Sequence, residues 1–171
     1  MHQRRDGAWF TSDVAAHLDA IYRYFVRRAP RQDADDLTSE VFAIAWRRRD
    51  DVPGEAILPW LYRTAGYVLA NHRRRAHGIP LHLADQPVAD EPVTDDHARR
   101  IADRDELARA LAGLSERDRD ILLLHAWEGL DGTELADALG ISRSGAQAAL
   151  SRARARLRDI WTPSMQDGGP R

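Results

Sequence analysis

Arg143, Ser144, Gln147, Ser151, Arg152 and Arg154 lie at spacings that gather on the outer side of one helix. Their side chains suit one kind of chemistry, the reading of duplex DNA. Arginine can donate a pair of hydrogen bonds to the major-groove acceptors of guanine, glutamine can pair similarly with adenine, and serine serves either base. A second set, Trp60, Arg63, Tyr67, Asn71, Arg73 and Arg74, mixes rings with basic and amide groups. That mixture suits single-stranded or opened DNA, whose bases stack on aromatic faces while the backbone meets cations. A third set is acidic: Asp33, Asp36 and Glu40 share a helix face by their i, i+3, i+7 spacing. Such a face repels DNA and suits a basic protein partner. Each set also has a plainer reading, as a solvated helix face or, for the acids, as a response to a helix N-terminal dipole. No nucleophile, phosphate-cradling loop or metal cluster is evident, so the expectation is no catalysis, no cofactor and no metal.

Helices must position these groups. Thr133–Arg158 reads as two helices joined at a tight Gly140 turn, the pattern of a helix-turn-helix, whose second helix enters the major groove. In that second helix Ala146, Leu150, Ala153 and Leu157 form an apolar stripe expected to pack on Leu135, Ala136, Leu139, Ile121 and Leu124. Arg156 and Arg158, toward the far end, are expected to complement the helix C-terminal dipole. Upstream, Ser12-Asp13 is a candidate cap for a helix carrying Val14, Leu18, Ile21, Tyr22 and Phe25 and ending before Pro30. A second helix starts near Asp33–Asp36 with the stripe Leu37, Val41, Phe42, Ile44, Ala45 and Trp46. A third starts at Pro59 and runs to Arg75. Ser115 caps another, which Gly129 ends.

Between the halves, Gly78 to Asp96 holds prolines 80, 87 and 92 and five acids, a composition that favours an extended, mobile linker. The expected fold is therefore all-α: two small helical domains, 10–76 and 98–161, joined by a flexible acidic linker at 77–97. The second is a helix-turn-helix domain, followed by a frayed tail at 162–171.

Composition narrows the function classes. The 171 residues contain no cysteine, which excludes disulfides and thiolate zinc sites. The histidines at 72, 77 and 82 fit neither helix-face ligation nor zinc spacing and read as surface residues. The net charge of −2 is unusual for a DNA binder, yet distribution matters more than the sum. Ser142–Trp161 is net +4 while Arg99–Asp137 is net −4, so the C-terminal half is a dipole with its positive end on the reading helix. No long apolar run or signal-peptide pattern appears, so a cytoplasmic location without membrane insertion is expected.

Taken in order, DADDLTSEVFAIAWRR, PWLYRTAGYVLANHRRR and LSERDRDILLLHAWEGLDGTELADALGISRSGAQAALSRARARLR resemble bacterial extracytoplasmic-function (ECF) sigma factors, group IV of the sigma-70 family. The resemblance covers about residues 12–161. It implies that the first segment docks on core RNA polymerase at the β′ clamp, with Asp36 and Glu40 as polar contacts. It implies that the WLYR helix reads and helps open the −10 promoter element, and that the Asp51–Leu58 loop captures a flipped base. The linker would thread toward the polymerase active centre, and the helix-turn-helix would read the −35 element. Contacts with the β subunit and an anti-sigma factor are further implied partners. Three places depart from the family's habit. Gln147 and Ala149 stand where cations are customary, Gly66-Tyr67 replaces a basic-plus-Asn pair, and Ser39 stands where Gln is usual. Lost phosphate contacts would weaken DNA binding and flatten its salt dependence. Two alternatives follow: a stand-alone helix-turn-helix regulator, or a sigma-derived interaction protein with weakened DNA binding.

Overall fold

The computed structural model describes residues 5–75 and 105–161; the expected linker at 77–97 and tail at 162–171 lie outside the described residues. Every regular element among the described residues is helical. The described residues divide into two compact units, one of residues 5–75 with Thr133–Ser142 and the other of residues 105–132 and 143–161.

Three main helices make the first unit: α1 (Leu18–Val26), α2 (Ala34–Arg47) and α3 (Ile57–Arg75). Pro30 stops the chain after α1, and a 3-10 turn at Arg31–Asp33 redirects it into α2. Asp35 and Asp36 occupy the first turn of α2, where negative charge meets the positive helix end. Pro59 falls in the first turn of α3, where its missing N–H costs no intrahelical bond. Ile21, Phe25, Val41, Ala45, Val52, Leu61 and Ala65 are at most 1% exposed and form the core. The helices α1, α2 and α3 pack pairwise around it. The alanines at 45 and 65 leave room for close approach of α2 and α3. Burying each large side chain contributes about 1.5–3 kcal/mol.

The N-terminal entry differs from expectation. Ser12-Asp13 does not cap α1: the Ser12 hydroxyl is directed to the Asp13 carboxylate at 2.5 Å, with the Trp9 carbonyl at 3.3 Å beside it. A side-chain cap lies further upstream, on the short helix Gly7–Trp9, where the Asp6 carboxylate accepts from the backbone N–H of Ala8 and Trp9. A π-helical turn at Phe10–Val14 and a 3-10 turn at Ala15–His17 then lead into α1. Of the expected stripe, Val14, Ile21 and Phe25 are buried. Leu18 is 52% exposed, and Tyr24 takes the interior place expected for Tyr22. Arg28 is fully buried, stacked 3.9 Å from the Tyr24 ring centroid.

The second unit contains a helix at 105–112 (α4), α5 (Glu116–Ala126) and α7 (Arg143–Trp161). Between its two stretches lies α6 (Gly132–Leu139). The expected cap is present, with Ser115 Oγ accepting from Asp118 N at 3.1 Å. Gly129 and Gly140 take φ of +75° and +67°, the left-handed region that favours glycine, and end α5 and α6 respectively. Leucines 122, 123 and 124 and Ile121 are all buried, so α5 is enclosed on nearly every side. It packs against α7. Arg119, 7% exposed, donates to the carbonyls of Leu111 at 2.8 Å and Leu114 at 3.1 Å, satisfying chain ends beyond α4.

Arg156 departs from its expected role at the C-terminal dipole. Its guanidinium donates to Asp118, pinning α7 to the start of α5. Burial pushes the Asp118 carboxyl upward. Hydrogen bonds from Ser115 and Arg156, with the charges of Arg156 and Arg117, outweigh that and hold it below the ordinary carboxylate value. A depressed folded-state pKa stabilises the fold above the unfolded value, and the contribution is lost as pH falls through the folded one. The expected outcome is a unit whose melting temperature drops on acidification below the ordinary Asp range. Asp118→Asn should cost about 1.5–3 kcal/mol at neutral pH, the usual worth of hydrogen bonds to a charged group, and should flatten that acid limb. Thermal melts across pH check both.

Candidate functional site

On α7, Ala146, Ala149, Leu150 and Ala153 are buried and Leu157 is half-buried. That inward stripe turns Arg143, Ser144, Gln147, Ser151, Arg152 and Arg154 outward, and all six are exposed. Arg143, Gln147, Ser151, Arg154 and Arg158 fall within about one helix side, since each step turns the chain by about a hundred degrees. Ser144 lies at the edge of this strip, and Arg152 falls about 100° beyond Ser151, off it. Near the start of α7, Gly132 faces the side chains of Arg143 and Gln147; a Cβ there would stand 3.9 Å from each. The turn before α7 is closed by Ile141 N donating to Ala136 O at 3.1 Å.

Ala149 corrects one expectation. It is 6% exposed and belongs to the packed side, so its small side chain serves packing. Of the two altered positions on α7, Gln147 alone is at the open surface.

On α3, the inward face is Leu61, Tyr62, Ala65, Val68 and Leu69. Trp60, Arg63, Tyr67, Asn71 and Arg74 recur at three- and four-residue steps along the opposite side. Tyr67 is 67% exposed, the most open large ring among the described residues, while Trp60, Arg63 and Asn71 are half-buried. Arg74 is exposed and donates to the Asn71 side-chain oxygen. Arg73 is half-buried and falls off this strip. Tyr62 is buried against Tyr24, with ring centroids 5.7 Å apart, and is a core residue. The loop ahead of α3 exposes Pro53, Gly54 and Glu55 while burying Val52 completely. Gly54 is not among the positive-φ glycines.

On α2 the structure separates the three acids. Asp36 is exposed and Glu40 half-buried on the outer side, with Ser39, Ala43 and Arg47 beside them. Asp33 instead pairs with His72, Nε2 to Oδ2 3.3 Å, joining the start of α2 to the last turn of α3. No local spacing announces that pair, because its members are far apart in sequence. Trp46, grouped with the core stripe by periodicity, is 42% exposed.

Among the described residues no group of three or more His, Cys, Asp or Glu is placed to hold a metal ion, and no helix is long and apolar enough to cross a membrane. The geometry is that of an all-α, DNA-directed protein with an arginine-bearing reading helix and a separate unit that opposes an acidic to an aromatic and basic face. The sigma-70 region 2 family matches residues 14–78, and the sigma-70 region 4 family matches residues 104–157. The chain belongs to the sigma-70 family, and its relatives define it as an ECF RNA polymerase sigma factor. It is 30% identical over 135 residues to the RNA polymerase sigma factor NccH of Alcaligenes xylosoxydans xylosoxydans, covering 75% of this chain and 73% of that protein. It is 31% identical over 142 residues to the RNA polymerase sigma factor CnrH of Cupriavidus metallidurans, with the same coverages of 75% and 73%. Among solved structures it shares the fold of CnrH in complex with the cytosolic domain of CnrY, with a TM-score of 0.58 and 24% identity over 91% of this chain and 88% of that one. It also shares the fold of RpoE in complex with the anti-sigma factor NepR from Bartonella quintana, with a TM-score of 0.63 and 19% identity over 88% and 95%.

The two altered positions on α7 predict opposite outcomes. Gln147→Arg should strengthen promoter binding and steepen the log–log salt slope by about one, as one added phosphate contact does. Ala149→Arg should lower the melting temperature, because it forces a long side chain into a packed position. Filter binding over a salt series, with melts of each variant, separates them.

Proposed function

We propose that three surfaces divide the work of promoter-directed initiation. The outer side of α2, through Asp36 and Glu40, docks on the β′ clamp of core RNA polymerase. The Trp60–Arg63–Tyr67–Asn71–Arg74 strip of α3 receives the opened −10 element, with its rings offered to unstacked bases and its cations to phosphates. The exposed strip of α7 reads the −35 element. Asp33 is removed from the docking set by its pairing with His72, and Arg73 by its place off the strip. The protein performs no bond chemistry itself; it recruits and orients an enzyme. It works in the cytoplasm, where polymerase and promoters are.

The observation that carries this reading is the opposition of an acidic outer face on α2 and an aromatic–basic outer face on α3, built on one core. A self-sufficient repressor needs the reading helix alone and has no use for the other two surfaces. An anti-sigma partner is proposed on the strength of the RpoE complex with the anti-sigma factor NepR, beside which CnrH is likewise solved with a protein partner, the cytosolic domain of CnrY. Without a cysteine, this chain leaves any thiol-based sensing to the partner.

The test adds the purified chain to core RNA polymerase and maps transcript starts genome-wide. The expected result is a set of new starts sharing −10 and −35 elements. Asp36→Arg with Glu40→Arg should abolish core binding while leaving helical content unchanged. DNA binding without any core binding would establish the stand-alone regulator instead.

A further inference from the structure

We propose that residues Arg5–Val14 are part of the polymerase-facing surface, with Phe10 as the positioning residue that holds Trp46 beside the acidic strip of α2. The proposal rests on the docking role of α2 given above. The matched sigma-70 region 2 begins at Val14, so Arg5–Asp13 precede the family segment. They are nevertheless folded onto its docking helix.

The π turn is what seats them. Trp9 and Val14 are five residues apart and both buried, at 6% and 0% exposure. In an α-helix a five-residue step carries a side chain well off the starting face. The wider π turn at Phe10–Val14, closed by Ala15 N donating to Phe10 O, brings the two back to one side. Phe10 then meets α2 edge-on, 5.3 Å from the Trp46 ring centroid and 6.4 Å from that of Phe42. Arg49 covers the Trp46 ring at 4.9 Å and donates to the Trp46 carbonyl at 3.2 Å. Arg5 in turn donates to the Arg49 carbonyl at 2.6 Å.

Trp46 is therefore held on an edge and a face while 42% of it stays open to solvent. A ring immobilised before binding loses little further freedom when a partner covers it, and tryptophan and arginine dominate interface hot spots. It lies ten residues beyond Asp36 on the open side of the same helix, about 15 Å along the axis. The surface thus runs from carboxylates at one end to a clamped ring with Arg47 and Arg49 at the other. The occupant that fits is a helical segment of core polymerase with basic groups facing Asp36 and Glu40 and an apolar or acidic end facing Trp46.

The experiment measures equilibrium binding of the full chain to core polymerase, alongside hydroxyl-radical oxidation of Trp46 in the wild-type chain with and without core. Phe10→Ala should weaken binding about tenfold, the scale of a moderate hot-spot loss. Phe10→Tyr, which keeps the edge contact, should stay close to wild type, and Trp46 should be protected several-fold by core. Unchanged affinity of Phe10→Ala with unprotected Trp46, while Asp36→Arg with Glu40→Arg fails to bind, overturns this proposal and leaves the docking role standing. Retained binding by that double variant overturns both. If Phe10→Ala fails to fold, Trp46 protection in the wild-type chain decides alone.

Discussion

One core with two opposite outsides is the constraint on which the first unit depends. Val41 and Ala45 of α2 and Leu61, Ala65 and Val68 of α3 are at most 2% exposed. Each helix spends its apolar stripe on the same interior, so its polar side must face away from the other's. Carboxylates on α2 and the ring-and-cation strip on α3 cannot neutralise one another across that core. A helix that buried its charges against its neighbour would lose both surfaces. Small side chains at 45 and 65 make the packing close, and close packing makes the two outer faces rigid with respect to each other.

The same logic sorts local from long-range information. Periodicity locates the inward face of α7, because there the buried stripe repeats at helical steps and the polar residues alternate with it. The glycines at 129 and 140 announced their turns because only a residue without Cβ takes φ near +70° easily. The Ser115 cap was readable for a similar reason: the hydroxyl and the N–H it accepts from are three residues apart. The family resemblance rested on these same stretches, and it supplied the class that periodicity alone does not.

What local pattern could not carry lies where two distant segments decide together. Asp33 looks equivalent to Asp36 by spacing, and only the arrival of His72 from the end of α3 distinguishes them. Arg156 looks like a dipole complement until Asp118, 38 residues earlier, takes its guanidinium. Ala149 reads as a missing cation, yet the packing of the second unit assigns it inward. The π turn is the least legible element. An extra residue per turn leaves no signature in composition, and Ser12-Asp13 offers a plausible false cap beside it.

Charge placement then explains how a chain of net charge −2 works on DNA. Nonspecific attraction grows with the number of phosphates neutralised, so a reading helix with few leading cations holds promoter DNA weakly by itself. Weak independent grip is an advantage for a subunit that must not occupy promoters without its enzyme. Once several modest contacts are linked through one assembly, each later contact forms at a high effective concentration, and the total exceeds any single one by orders of magnitude. On the docking role proposed for α2, the acids that lower the chain's own affinity for DNA are the groups offered to the basic partner. On the proposed assignment of the three surfaces, specificity for the complete complex follows from keeping every surface individually insufficient, with Gln147 at the open edge of α7 reducing the DNA share and the outer face of α2 supplying the protein share.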